Sequence, residues 1–216
     1  MKLISKNIYK IIKGKTILDN VNLNLTSGHI YGFVGHNGSG KTMLFKALSG
    51  LMYVTEGHIY LDDYELHKDI DILPGLGIMI ENAGLYPELS GYENLKTLGK
   101  INKKISNDEI KEFIRLVGLN PDDRKPFRNY SLGMKQRIIF AQAIMEKPDI
   151  LMLDEPTNTL DEDGVKDIRK LIFAEKERGA MVLIASHNKE DISELADVVY
   201  TVQNGNVTLC QEGKAK

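Results

Sequence analysis

Two short segments of this 216-residue chain carry residue types that could perform phosphate chemistry together. The first, GHNGSGKT at 35–42, sets Gly35, Gly38 and Gly40 around a lysine and a threonine. Glycine permits the tight turns that aim successive backbone N–H groups at one anion, and a helix starting there adds its positive end. In this P-loop pattern Lys41 would reach the outer phosphates of a nucleotide, and the Thr42 hydroxyl would face Mg2+. The second, ILMLDEP at 150–156, ends an apolar run on two acids. Asp154 is placed to hold the Mg2+ shell and Glu155 to polarise an attacking water. A solvated turn would also account for adjacent acids, but the glycine loop is independent evidence for the chemistry. His187 closes another apolar run, AMVLIASH, and reads either as a structural histidine or as a sensor of the terminal phosphate.

A third segment, NYSLGMKQR at 129–137, opens a helical pattern on a serine and a glycine. Such a start can bind a second anion, or Ser131 can simply cap its own helix.

The elements around these residues follow from periodicity. HIYGFVG reads as a buried strand entering the glycine loop, and KTMLFKALSG as the helix leaving it. Residues 1–30 form short β segments, ILDNVNLNL alternates as a half-exposed strand does, and HIYLDDYEL has the pattern of a hairpin. From about 84 to 146 the spacing is helical, with a capping serine near each start. After Pro148 apolar strands alternate with helices, and VVYTVQNGNVTL turns at Asn204-Gly205. Continuous apolar strands, each followed by a helix, call for a parallel sheet covered on both faces. The fold class expected is α/β: a P-loop NTPase core with a mostly parallel sheet, an N-terminal antiparallel β subdomain and an inserted helical subdomain. All of it would lie in one domain over 1–216.

Bulk properties narrow the functions. A net charge of −2 gives no electrostatic footprint for nucleic acid. A single cysteine, Cys210, excludes an internal disulfide framework and fits a reducing compartment. No apolar run approaches the roughly 18 residues a membrane span needs, and the lysine-rich start has no uninterrupted apolar stretch of the secretory kind. A cytoplasmic location is expected.

With these residues in order, the chain resembles the ATP-binding cassette (ABC) family of transporter ATPases over nearly its whole length. GHNGSGKT is similar to the family's Walker A motif, and ILMLDEP to Walker B with its catalytic glutamate. TNTLDEDG at 157–164, which holds Asp161, is similar to the D-loop, and His187 falls at the switch histidine. YSLGM at 130–134 stands where the family has its LSGGQ signature, followed by Lys135, Gln136 and Arg137.

The resemblance implies ATP and Mg2+ as ligands. It implies that Gly35, His36, Asn37, Gly38, Ser39, Gly40, Lys41, Thr42 and Met43 hold the nucleotide, with Ile12 beside the adenine. Lys41, Glu155 and His187 would be the catalytic group, and Thr42, Asp154 and the Q-loop residue Glu81 the metal side. Family cassettes pair head to tail, so Ser131, Leu132, Gly133 and Met134 would complete the ATP site of a second ATPase subunit, expected to be another copy of this chain. A separate transmembrane permease is implied as the other partner, with the chain peripheral on the inner face of the cell membrane and no nucleic acid bound. The segment from Glu81 to Tyr92 would couple to it, with Leu85, Tyr86 and Leu89 either a docking patch or local core.

Three departures stand out. Leu132 and Met134 replace a glycine and the glutamine of the signature, Glu81 stands where most members carry glutamine, and Ile12 falls where many have an aromatic residue. The signature, acidic Q-loop and Tyr86-Pro87 together resemble the bacterial bacitracin and lantibiotic resistance branch, whose members move or displace peptide antibiotics. The rival reading is a soluble cassette ATPase acting on DNA or ribosomes; those members carry a long coiled-coil insertion or two cassettes in tandem, and this sequence shows neither. A regulator that binds nucleotide without turnover is disfavoured by Lys41 and Glu155.

Overall fold

The computed structural model describes residues 1–80 and 84–212, with the backbone alone at 189–191, 211 and 212. Strands β1 (Lys2–Ile12) and β2 (Lys15–Thr26) form a long antiparallel hairpin, and β3 (Ile30–Val34) leads through the glycine loop into α1 (Lys41–Ser49). A second hairpin, β4 (Glu56–Leu61) and β5 (Tyr64–Glu65), returns to β1, giving an antiparallel sheet of order β2-β1-β4-β5. Next come β6 (Leu76–Met79), α2 (Gly91–Asn102), α3 (Asn107–Leu116), a 3₁₀ turn at Phe127–Asn129 and α4 (Leu132–Ile144). The chain then alternates through β7 (Ile150–Asp154), α5 (Glu162–Glu177), β8 (Met181–Ser186) and α6 (Lys189–Leu195) to the closing hairpin of β9 (Val198–Gln203) and β10 (Asn206–Glu212).

The second sheet has the order β10-β9-β3-β8-β7-β6 and is parallel except for β10. Its apolar strands are buried on both faces, as parallel strands under two layers must be. Phe33, Met152 and Leu183 face α1 and the antiparallel sheet, while Leu151, Leu153, Val182 and Ile184 face the helices of the other layer. The register brings Val34, Ser186 and Asp154 to one edge, because Val34 pairs with Ser186 and Asp154 with the preceding Ala185. Ligands of open α/β sheets bind outside that edge, at the carboxyl ends of the strands.

Helices α2, α3 and α4 lie between β6 and β7 in the chain. Ser90 and Ser106 each close a capping box with a glutamate three residues on, Glu93 and Glu109, which fixes where α2 and α3 start. The backbone N–H and then the hydroxyl of each serine hold these carboxyls below the usual range. This support is complete above the ordinary carboxylate range and is lost as pH falls through the depressed values.

The loop ahead of α2 is tied down by Asn94, buried on that helix. Its Nδ2 donates to the carbonyls of Tyr86 and Ser90, both at 3.0 Å, and its Oδ1 accepts from the Tyr86 N–H at 2.7 Å. Asn94→Ala strands these groups and is expected to destabilise the chain by about 1–3 kcal/mol, read as a lower urea midpoint with an unchanged slope. Leu85, in the same loop, packs against the helical core, whereas Tyr86 is exposed. The local-core reading therefore holds for Leu85. Among the described residues no helix is long and apolar enough to cross a membrane.

Candidate active site

Helix α1 starts where an anion can use it. Gly40 precedes it at φ 113° and Gly38 lies at φ 80°, both in the left-handed region where a side chain would be strained. No side chain caps α1, and its first turn carries no acid, so its leading N–H groups and positive end face the cleft. The loop is braced from the closing hairpin, whose Gly205 N–H donates to Ser39 O at 2.9 Å. A Cβ on Gly35 would run into Val202 O and Ser39 Oγ, so glycine is required there by close approach alone.

The cleft has a volume of about 620 Å³. Asn37, Gly38, Gly40, Lys41, Thr42 and Met43 line it from the loop side, and Asp154, Glu155 and His187 from the strand ends. Thr42 Oγ1 donates to Asp154 Oδ2, so hydroxyl and carboxylate meet although 112 positions separate them. Lys41, only 5% exposed, donates from Nζ to Gly35 O at 2.7 Å and His36 O at 3.3 Å. The same ammonium lies 3.8 Å from Glu155 Oε1.

Glu155 is held from several sides. Its φ of 53° is left-handed for a residue with a side chain. The carboxylate accepts from the His187 N–H at 3.0 Å and the Ser186 hydroxyl at 3.2 Å, and His187 Nδ1 lies 2.9 Å from Oε2. The geometry thus brings Lys41, Glu155 and His187 together and places Thr42 with Asp154 beside them.

Other expected residues fall elsewhere. Ile12 ends β1 at the hairpin tip, paired with Lys15 and 38% exposed, and does not line the cleft; Ile17 of β2 does. Ser131 caps α4, its Oγ accepting from Met134 N at 3.2 Å, and none of Ser131, Leu132, Gly133 and Met134 lines this chain's own cleft. Asp161 caps α5 by accepting from Gly164 N at 3.0 Å. Glu81 lies outside the described residues.

Some contributors could not be assigned from sequence. Gln136 Nε2 donates to Glu155 O at 2.7 Å, and Ser186 supports the Glu155 carboxylate. Ile17, Met79 and Ile139 supply apolar wall. Adjacency to the motifs was the one available signal: Ser186 precedes His187, and Gln136 follows the signature by two positions.

A glycine-loop strand–helix unit facing an acid-tipped parallel strand defines a P-loop nucleoside triphosphatase, and the helical insertion with its serine-capped α4 is that of a cassette. Comparison with known proteins agrees. The family model described as ABC transporter matches residues 18–158. The uncharacterized ABC transporter ATP-binding protein YybJ of Bacillus subtilis is 48% identical, over 93% of this chain and 92% of its own. The bacitracin transport ATP-binding protein BcrA of Enterococcus faecalis is 37% identical, over 94% of this chain and 67% of its own. In structure, the dimeric bacterial ABC transporter cassette MJ0796 superposes with a TM-score of 0.88 at 23% identity, over 99% of this chain and 100% of its own. The chain belongs to the ABC transporter family, as the ATP-hydrolysing subunit that powers a membrane transporter.

Proposed function

We propose that two copies of this chain close head to tail around two ATP molecules, and that their opening after hydrolysis drives a separate permease at the inner face of the cell membrane. The observation that carries the pairing is the split between sites: Lys41, Thr42, Asp154, Glu155 and His187 share one cleft, while Ser131 to Met134 lie outside it. Leu132 is 69% exposed there, an apolar side chain available to a facing subunit.

Within each cleft the loop N–H groups, the start of α1 and Lys41 bind the phosphates. Glu155 orients the attacking water and takes up its proton, and His187 holds the Glu155 carboxylate and contacts the terminal phosphate. The residues fit Mg2+: Thr42 and Asp154 offer two hard oxygen donors side by side, the kind of partial shell this ion accepts while keeping water and phosphate as its other ligands. When bound, Mg2+ would neutralise phosphate charge. Glu81 remains the proposed third contributor, and Asp161 is proposed to face the second subunit.

The transported class is proposed from the named relative, which serves bacitracin transport. Peptide antibiotics at the bilayer fit that reading. Purification of the tagged chain from detergent-solubilised membranes is expected to bring a polytopic membrane protein with it; recovery with ribosomes or DNA instead would overturn the transport reading.

Base recognition is proposed to be loose. Ile12 has no aromatic face on which adenine could stack, and Ile17 gives only apolar contact along the cleft wall. KM values for ATP and GTP are expected to agree within about tenfold, since apolar contact discriminates weakly. A much larger preference for ATP would overturn loose base recognition.

A further inference from the structure

The signature helix also grips the chain's own catalytic loop. One turn into α4, Gln136 Nε2 donates to two successive carbonyls, Glu155 O at 2.7 Å and Pro156 O at 3.2 Å. The next residue, Arg137, reaches the far end of the same loop, with Nη2 3.4 Å from Asp161 Oδ1, and anchors Nη1 on Val117 O at 2.7 Å. Between these points Gly133 lies against the loop backbone, since a Cβ there would come 3.2 Å from Thr159 O. The first two turns of α4 therefore hold the beginning and end of residues 155–161 and lie close against its middle.

Glu155 needs such a hold. A left-handed conformation in a residue with a side chain costs roughly 1–3 kcal/mol and persists only where its surroundings enforce it. Its N–H is fixed from β8, donating to Ala185 O at 2.8 Å. Its carbonyl is fixed from α4 by Gln136. With both peptide groups held, the side chain leaves the backbone toward Ser186, His187 and Lys41, which it meets.

We propose that Gln136 is a positioning residue for Glu155: its amide fixes the backbone of the catalytic glutamate within the same chain, although it stands on the helix that presents the signature to the other subunit. This rests on the reading above, in which Glu155 serves its own cleft and Ser131 the partner's.

Three variants of the full chain test the donor. Gln136→Met keeps the length and removes the N–H groups, Gln136→Glu sets a negative charge against two carbonyls, and Gln136→Lys retains a donor of similar reach. The Met and Glu variants are expected to lose about tenfold or more in kcat, as displaced catalytic groups do, with KM for ATP within about twofold of wild type. Gln136→Lys should keep most of kcat. Loss of kcat equally in all three, or a raised KM with kcat unchanged, would overturn the proposal. Should Gln136→Met not fold, the Lys and Glu pair decides, being alike in reach and opposite as donors.

Mixed dimers give the direction. With Gln136→Met in one subunit and Glu155→Gln in the other, the only site able to turn over uses the Glu155 of the altered chain; it should be slow by the same factor as the Gln136→Met homodimer. With both substitutions in one subunit, the live site keeps an intact Glu155 and borrows only its signature from the altered chain. It should match a dimer of wild type and Glu155→Gln. Slowing confined to this second dimer would place the effect across the interface and refute a positioning role within the chain. Failure of the pairing itself is distinguishable: ATP hydrolysis by a chain that stays monomeric with Mg-ATP would remove the composite site, while the donor-dependent loss of kcat would still hold Gln136 to its own Glu155.

Discussion

Glu155→Gln is expected to lower ATP turnover by about 10²–10⁴-fold while leaving ATP bound, the range a positioned general base supplies. The amide keeps the size of the carboxylate, and its carbonyl can still accept from the Ser186 hydroxyl or the His187 N–H. It cannot take a proton from water. It also removes a negative charge from the cleft proposed to hold phosphates, so nucleotide affinity should stay level or rise. Lys41 loses an ion-pair partner at 3.8 Å but keeps the Gly35 and His36 carbonyls, so the loop needs no rearrangement. If opening follows hydrolysis as proposed, the variant should accumulate as a closed pair. Size exclusion with Mg-ATP is expected to show a dimer for Glu155→Gln and mainly monomer for the wild type after turnover. A variant that binds ATP yet elutes only as a monomer would refute the sandwich.

The residues proposed to bind and hydrolyse nucleotide were legible as a cluster because their chemistry constrains the local sequence. A loop that turns its N–H groups inward needs glycine at Gly38 and Gly40, and an acid at a strand end must follow an apolar run such as ILML. The helix starts were legible for the same kind of reason: Ser90, Ser106 and Ser131 each satisfy a backbone N–H within three residues. Contacts between elements were not. Gln136 meets Glu155 only because α4 packs against β6, the neighbour of β7, and so reaches the loop that leaves β7; nothing in either segment encodes that approach. The wall residue Ile17 was missed similarly: its place in the cleft depends on how the N-terminal hairpin sits on the parallel sheet, whereas family position pointed to Ile12, which ends at the hairpin tip. The left-handed φ of Glu155 also has no local signal, since it is imposed from β8 and α4 rather than chosen by glutamate.

The second large effect concerns Ser131. Ser131→Arg and Lys41→Ala are each expected to inactivate the chain and to restore hydrolysis when mixed. In the Lys41→Ala chain the buried ammonium proposed to face the phosphates is gone, so its own cleft should fail wherever its signature goes. In the Ser131→Arg chain the cleft is untouched, because Ser131 does not line it. What fails is the start of α4, where the hydroxyl and the leading N–H groups would receive a phosphate from outside the chain. An arginine there removes the hydroxyl cap and fills the place where that phosphate would sit, so the composite site it serves fails while the other can still close. In the mixed dimer both defects fall on one composite site, and the other combines an intact Lys41 with an intact Ser131. If Ser131 served its own chain, each subunit of the mixed dimer would carry one broken site and mixing would recover nothing. Phosphate release from an equimolar mixture after exchange of subunits separates the two outcomes without knowledge of the transported molecule. Recovery would also show that the exposed Leu132 is accommodated at the interface in place of the usual glycine.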